Sequence, residues 1–116
     1  MATRILTISV RPVGRAAVVD LNGGIDLGNS PALRTALFDQ LTRVSRLAVN
    51  MTGVRYIDSS GIATLIEVLK KARDIQKEFA LFGLGPTVYD VLKLTKLLGV
   101  FHIVDNEEDA LRDAAP

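Results

Sequence analysis

Cysteine and tryptophan are absent from the 116 residues, and histidine occurs once, at His102. The first absence excludes disulfides, thiol nucleophiles and thiolate metal sites, and a single histidine excludes a histidine-cluster metal centre. Neither charge sign dominates. Fourteen Lys and Arg stand against thirteen Asp and Glu, a net charge of +1, so charge alone points to no nucleic-acid partner. No apolar run approaches the ~20 residues of a membrane-spanning helix. Met1-Ala2-Thr3-Arg4-Ile5-Leu6 has no apolar leader core, so we expect no membrane insertion and a cytoplasmic location. Linkers, internal repeats and low-complexity segments are also missing. What remains is a chain with 48% hydrophobic residues, which argues against disorder. Its length suits one domain that buries roughly two-thirds of its unfolded surface. We therefore expect a single domain over residues 1–116, with its core at about 5–104.

The pattern along the chain predicts an α/β fold. Ile5 to Val10 and Arg15 to Leu21 read as two strands joined into a hairpin by a turn containing Pro12 and Gly14. Asn22-Gly23-Gly24-Ile25-Asp26-Leu27-Gly28 breaks the regular pattern. Asn29 or Ser30 then caps a helix with Pro31 in its first turn and Leu33, Ala36, Leu37, Leu41 and Val44 on its buried face. A short, mostly buried strand over 46–51 follows, with apolar character continuing through Val54, Tyr56 and Ile57. Phe79 to Phe82 reads as another strand. Pro86 opens a helix whose Val88, Val91, Leu92 and Leu98 share a face and whose stop is expected at Gly99. Phe101 to Val104 reads as a last strand, which makes His102 a strand residue. Asn106 ahead of Glu107, Glu108 and Asp109 predicts a short acidic helix over about 106–115. The alternation after the opening hairpin implies right-handed β-α crossovers over a single mixed sheet.

The most informative stretch is Tyr56-Ile57-Asp58-Ser59-Ser60-Gly61-Ile62, where a buried strand ends and an amphipathic helix begins. Ile62, Leu65, Ile66, Leu69, Ala72 and Gln76 follow three-and-four spacing and predict the buried stripe, with Glu67, Lys70, Lys71, Asp74 and Lys77 outside it. Ser59 precedes the first periodic apolar residue and is expected as the N-cap. Asp58 either orients a serine hydroxyl or is a loop acid pairing with backbone amides. Gly61 permits close backbone approach in the first turn. Tyr56 is most simply a packed aromatic. In open α/β sheets, sites form beyond the carboxyl ends of the strands, which is where these hydroxyls fall. Lys70, Lys71, Arg73 and Lys77, interspersed with Glu67 and Asp74, read as a solvated helical face.

Catalytic constellations do not assemble from this sequence, and we expect no enzyme. Asp58-Ser59-Ser60-Gly61 has the outline of an aspartic-protease loop, but the extra serine breaks that match and no paired carboxylate is evident. A hydrolase base for Ser59 is not recognisable, because His102 has no Gly-x-Ser-x-Gly partner. The Gly-x-x-x-x-Gly-Lys-Ser/Thr phosphate loop is also missing. No metal or organic cofactor is indicated.

Asp58-Ser59-Ser60-Gly61-Ile62 after an apolar strand, with Asn22-Gly23-Gly24-Ile25-Asp26 upstream and Gly83-Leu84-Gly85-Pro86-Thr87-Val88 downstream, resembles the STAS domain of bacterial anti-sigma factor antagonists. The likeness runs from about Ile5 to Val104. It implies a STAS-type fold and a partner-switching role, in which the unmodified protein sequesters an anti-sigma factor with serine kinase activity and so regulates sigma-factor-dependent transcription. It also implies phosphorylation at the serine directly after the aspartate, Ser59, with a serine phosphatase to reverse it. Asp26, Asp58, Ser60 and Gly61 are the matching partner-binding or switch-supporting positions. Where the family often carries glutamate this chain has Gly24, with the nearby acid kept as Asp26. STAS-like domains also serve as accessory subunits of membrane transporters, such as lipid-transport ABC systems, which is the alternative function the resemblance allows.

Overall fold

Gly14 and Arg15 form the two-residue turn of the opening hairpin, between β1 (Leu6–Val13) and β2 (Ala16–Ile25). Only Gly14 of this pair has positive φ, +59°, the pattern of a II′ turn whose twist suits antiparallel strands. The computed structural model describes residues 5–112. Pro12 lies inside β1, opposite Ala17, rather than in the turn. β1 is an edge strand, where a residue without an N–H is tolerated. The expected break at Asn22-Gly23-Gly24 is instead a continuation of β2, with register shifts against its neighbour between Asp20 and Asn22 and between Gly23 and Gly24. Gly23 has φ +126°, and a Cβ there would run into the Ile5 carbonyl, so glycine is what lets the irregular strand pass.

The chain continues through α1 (Ser30–Leu41), β3 (Arg46–Ile57), α2 (Ser59–Asp74), β4 (Glu78–Phe82), α3 (Pro86–Leu94), β5 (His102–Val104) and α4 (Glu107–Leu111). Among the described residues the strands make one mixed sheet in the order β1-β2-β3-β4-β5, antiparallel at β1–β2 and parallel elsewhere. β3 is longer than the expected 46–51, because its pairing with β2 runs on to Ile57. Each parallel step moves one place in the same direction, so right-handed crossovers put α1, α2 and α3 on one face. There Leu33, Leu37, Leu65, Val68, Val88 and Leu92 pack over Val19, Val49, Met51 and Leu81 in the main core. The other face carries a small cluster, Val18, Ala48, Ala80 and Phe82, covered by Ala110 of α4.

Several boundaries differ from the sequence pattern. α2 buries Gly61, Thr64, Leu65, Val68, Leu69 and Ala72, while Ile62 and Ile66 are half-buried and Gln76 lies exposed beyond the helix. The close approach of Gly61 to the sheet selects which side of α2 faces inward. In α1 the buried side chains are Ser30, Leu33, Leu37 and Leu41; Ala36 is half-buried, and Val44, also half-buried, lies past the helix end. α3 stops well before Gly99. Lys96 takes φ 62°, its N–H donating to Lys93 O at 3.0 Å and that of Leu97 to Leu92 O at 2.8 Å, a Schellman stop built on lysine. α2 ends the same way at Gln76, φ 58°, with Lys77 N–H to Ala72 O at 2.7 Å. β5 begins at His102, which is exposed. Asn106 caps α4 as expected, accepting from Asp109 N–H at 2.9 Å, but the helix ends at Leu111; residues 113–115 of its expected span lie outside the described residues.

Candidate functional site

β2 ends at Ile25 and β3 at Ile57, side by side, and the two following segments meet at the carboxyl edge of the sheet. Asp58 continues the pairing by donating its N–H to Ile25 O at 3.1 Å, in extended conformation. That fixes Asp58, and not Ser59, as the N-cap of α2. Asp58 Oδ1 accepts from Ser60 N–H at 2.9 Å, from Gly61 N–H at 3.2 Å and from the Ser60 hydroxyl at 2.5 Å. The Ser60 hydroxyl, together with backbone N–H groups of Gly61, Ser60 and Leu27, holds the Asp58 carboxyl below the usual aspartate range against the opposing effect of partial burial. The reading of Asp58 as an acid that pairs with backbone amides holds, whereas the hydroxyl it orients belongs to Ser60 and not to Ser59.

Ser59 is the first helical residue and is exposed. Among the described residues, none holds its hydroxyl. The expected cap is thus the free member of the serine pair, and its neighbour is the captive one. Gly61 is buried because a Cβ there would lie 2.6 Å from Ile25 Cγ2 and 2.7 Å from Ile57 Cγ1. Its absence of side chain lets α2 start directly on the ends of β2 and β3.

Asp26 lies in the turn ahead of α1, as its sequence context suggested. Its Oδ1 accepts from Gly28 N–H at 2.9 Å and Asn29 N–H at 3.2 Å, an Asx-type turn. Asn29 occupies the N-cap position of α1 without capping it. Its side chain accepts from Asp26 N–H at 2.9 Å and donates to Gly24 O at 2.8 Å, so it staples the loop rather than the helix. Gly24 itself is buried in β2 opposite Tyr56, which is half-buried.

One residue was missed by sequence reasoning. Leu27, between Asp26 and Gly28, is 75% exposed, while its backbone amide adds to the lowering of the Asp58 carboxyl. The available signal was an apolar side chain inside an otherwise polar, glycine-rich turn.

The corner formed by Asp26, Leu27, Asp58 and Ser59 lies at the carboxyl ends of β2 and β3. An open pocket of about 430 Å³ lies at the opposite end of the strands, lined by their first residues Ala16, Arg46 and Glu78. Among the described residues, no group of three or more His, Cys, Asp or Glu is placed to hold a metal ion, and no helix is long and apolar enough to cross a membrane. Lys70, Lys71 and Arg73 are exposed, and Glu67 pairs with Arg34 at 2.9 Å.

The family model for the STAS domain matches residues 7–110. The chain belongs to the STAS family. This STAS domain is 30% identical over 86 residues to the anti-sigma-B factor antagonist of Listeria monocytogenes, covering 73% of this chain and 75% of that protein. Its fold superposes on a crystal structure of an anti-sigma factor antagonist from Mycobacterium paratuberculosis with a TM-score of 0.84, 25% identity and 92% of each chain covered. The Bacillus cell fate determinant SpoIIAA, solved in its phosphorylated form, shares the fold at a TM-score of 0.70 and 20% identity, over 89% of this chain and 94% of that one. The single mixed sheet with an opening hairpin is thus the STAS-type fold.

Proposed function

We propose that this STAS domain is an anti-sigma factor antagonist that sequesters an anti-sigma factor through the corner around Ser59 and releases it when Ser59 is phosphorylated. The single observation that carries the reading is the division of labour between the two serines: Ser60 is held by Asp58, and Ser59 stands exposed with its hydroxyl available. The anti-sigma factor is the serine kinase. In the transfer, Ser59 Oγ bonds to the γ-phosphorus of ATP as the bond to ADP breaks, and the hydroxyl proton passes to a base on the kinase. A serine phosphatase hydrolyses the ester and resets the switch. Asp26, Asp58, Ser60 and Gly61 support it by shaping the corner.

The phosphoryl group adds roughly −1.5 to −2 charges and three strong acceptor oxygens. At the first position of α2 the helix dipole favours that charge by about 0.3–1 kcal/mol, so the fold survives. At an interface the balance reverses. Phosphate beside Asp58 must be desolvated or opposed by partner carboxylates, and like-charge juxtaposition costs several kcal/mol. Since about 1.4 kcal/mol is tenfold in affinity, release outweighs the local gain.

Incubation with the anti-sigma kinase and ATP, followed by peptide mapping, tests this reading. Modification at Ser59, abolished in Ser59→Ala, is expected, together with loss of the complex on phosphorylation. A complex equally tight with phosphorylated and unphosphorylated protein would overturn it.

A further inference from the structure

We infer that Leu27 is the apolar anchor of the anti-sigma factor complex, seated in an apolar pocket of the partner and acting separately from the charge switch at Ser59; this rests on the reading above. The residue is placed for it by two constraints. Asp58, immediately before Ser59 in the chain, donates its N–H to Ile25 O at 3.1 Å, which brings the Asp26-Leu27 segment alongside the start of α2. Its loop is closed by Asp26 Oδ1, which takes the N–H groups of Gly28 and Asn29, and by the Asn29 side chain, which bridges Asp26 N–H and Gly24 O. A leucine 75% exposed on a segment so tied has little loop freedom left to lose on docking, and preorganisation of this kind favours affinity.

The choice of occupant follows from adjacency and from what is already satisfied. A docking footprint of about 800 Å² per partner is a disc about 16 Å in radius, so a partner centred on Ser59 also takes in Leu27, two residues past the Ile25 carbonyl that pairs with Asp58 N–H. Asp26 and Asp58 each accept hydrogen bonds from their own loops, which leaves the leucine side chain as the group with most to gain from being covered. Leu94 is 81% exposed but lies in the last turn of α3, away from the helix N-termini that form the corner. It therefore provides an internal control of equal chemistry.

The test is titration of the unphosphorylated full chain against its purified anti-sigma factor, comparing wild type with Leu27→Ala, Leu27→Met, Leu94→Ala and Ser59→Asp, alongside thermal unfolding of each. Leu27→Ala is expected to weaken binding by at least about tenfold, chiefly through faster dissociation, with an unchanged melting curve. Leu27→Met keeps an apolar side chain of similar volume and stays within about threefold, and Leu94→Ala binds as wild type does. A Leu27→Ala affinity within twofold of wild type, while Ser59→Asp weakens binding, overturns the anchor and leaves the switch standing. Equal losses in Leu27→Met and Leu27→Ala also overturn it, because apolar burial would then not be what the partner reads. If the wild-type chain forms no complex with an anti-sigma factor, the functional reading itself fails and takes the anchor with it.

Discussion

The carboxylate of Asp58 accepts the hydroxyl of Ser60 at 2.5 Å, and this contact divides two adjacent serines into a structural one and a free one. Both hydroxyls stand at the start of α2, yet only Ser60 contributes to the cap. The consequences can be measured residue by residue.

Ser60→Ala removes one charge-assisted hydrogen bond and should lower stability by about 1 kcal/mol, whereas Ser59→Ala should change it by less than about 0.5 kcal/mol. Urea denaturation separates the two. Mass spectrometry after kinase treatment should show the reverse ranking, with Ser60→Ala still modified at Ser59 and Ser59→Ala unmodified.

Asp58→Ala should cost about 1–2 kcal/mol at neutral pH, since it removes an N-cap that also holds a side-chain hydroxyl. The native carboxyl is held below its ordinary range, chiefly by Ser60. Its stabilising effect is therefore full above about pH 4, the unfolded value, and is lost as pH falls through the lower native value. Denaturation curves of wild type and variant should accordingly converge in acid; a gap that persists undiminished at pH 2 would contradict the charged cap.

Gly61→Ala sets a helix-propensity gain of about 1 kcal/mol against a methyl placed within 2.6–2.7 Å of the branches of Ile25 and Ile57. Both isoleucines are buried in the core and cannot swing away, so overpacking wins and a net loss of about 1–3 kcal/mol is expected. A rise in melting temperature would show that α2 can lift off the strand ends.

Lys96→Gly should raise stability by about 0.5 kcal/mol, because relief of positive φ exceeds the added entropy of the unfolded chain. Gly99→Ala should also stabilise, by about 0.4–1 kcal/mol, since a Cβ at Gly99 meets no atom within 4 Å and its φ is ordinary. Had Gly99 been the helix stop, the second substitution would destabilise. Equilibrium denaturation distinguishes these outcomes.

Legibility of the fold tracked how local each determinant is. Prolines at the first turns of α1 and α3, the Asn106 cap and the apolar runs of β3 and β4 act within a few residues and were readable in order and type. Helix ends were not, because α2 and α3 stop on Gln76 and Lys96 in a conformation that sequence reading assigns to glycine. The continuation of β2 past Asn22 was hidden for a related reason. Its glycines signal a turn when read alone, and only the neighbouring strands show that they accommodate a bulge.

The amino-acid sequence by itself determined the alternation of strands and helices, the opening hairpin and the placing of two hydroxyls at a strand-to-helix junction, since periodicity and turn chemistry are properties of short segments. Tertiary structure decided the rest: which serine is captive, which face of α2 is buried, and that Leu27 stands beside Asp58. Those outcomes depend on contacts between residues far apart in the chain, Asp58 with Ile25 and Gly61 with Ile25. No local pattern encodes such pairings; they exist only once β2 and β3 lie side by side and bring their following loops to one edge.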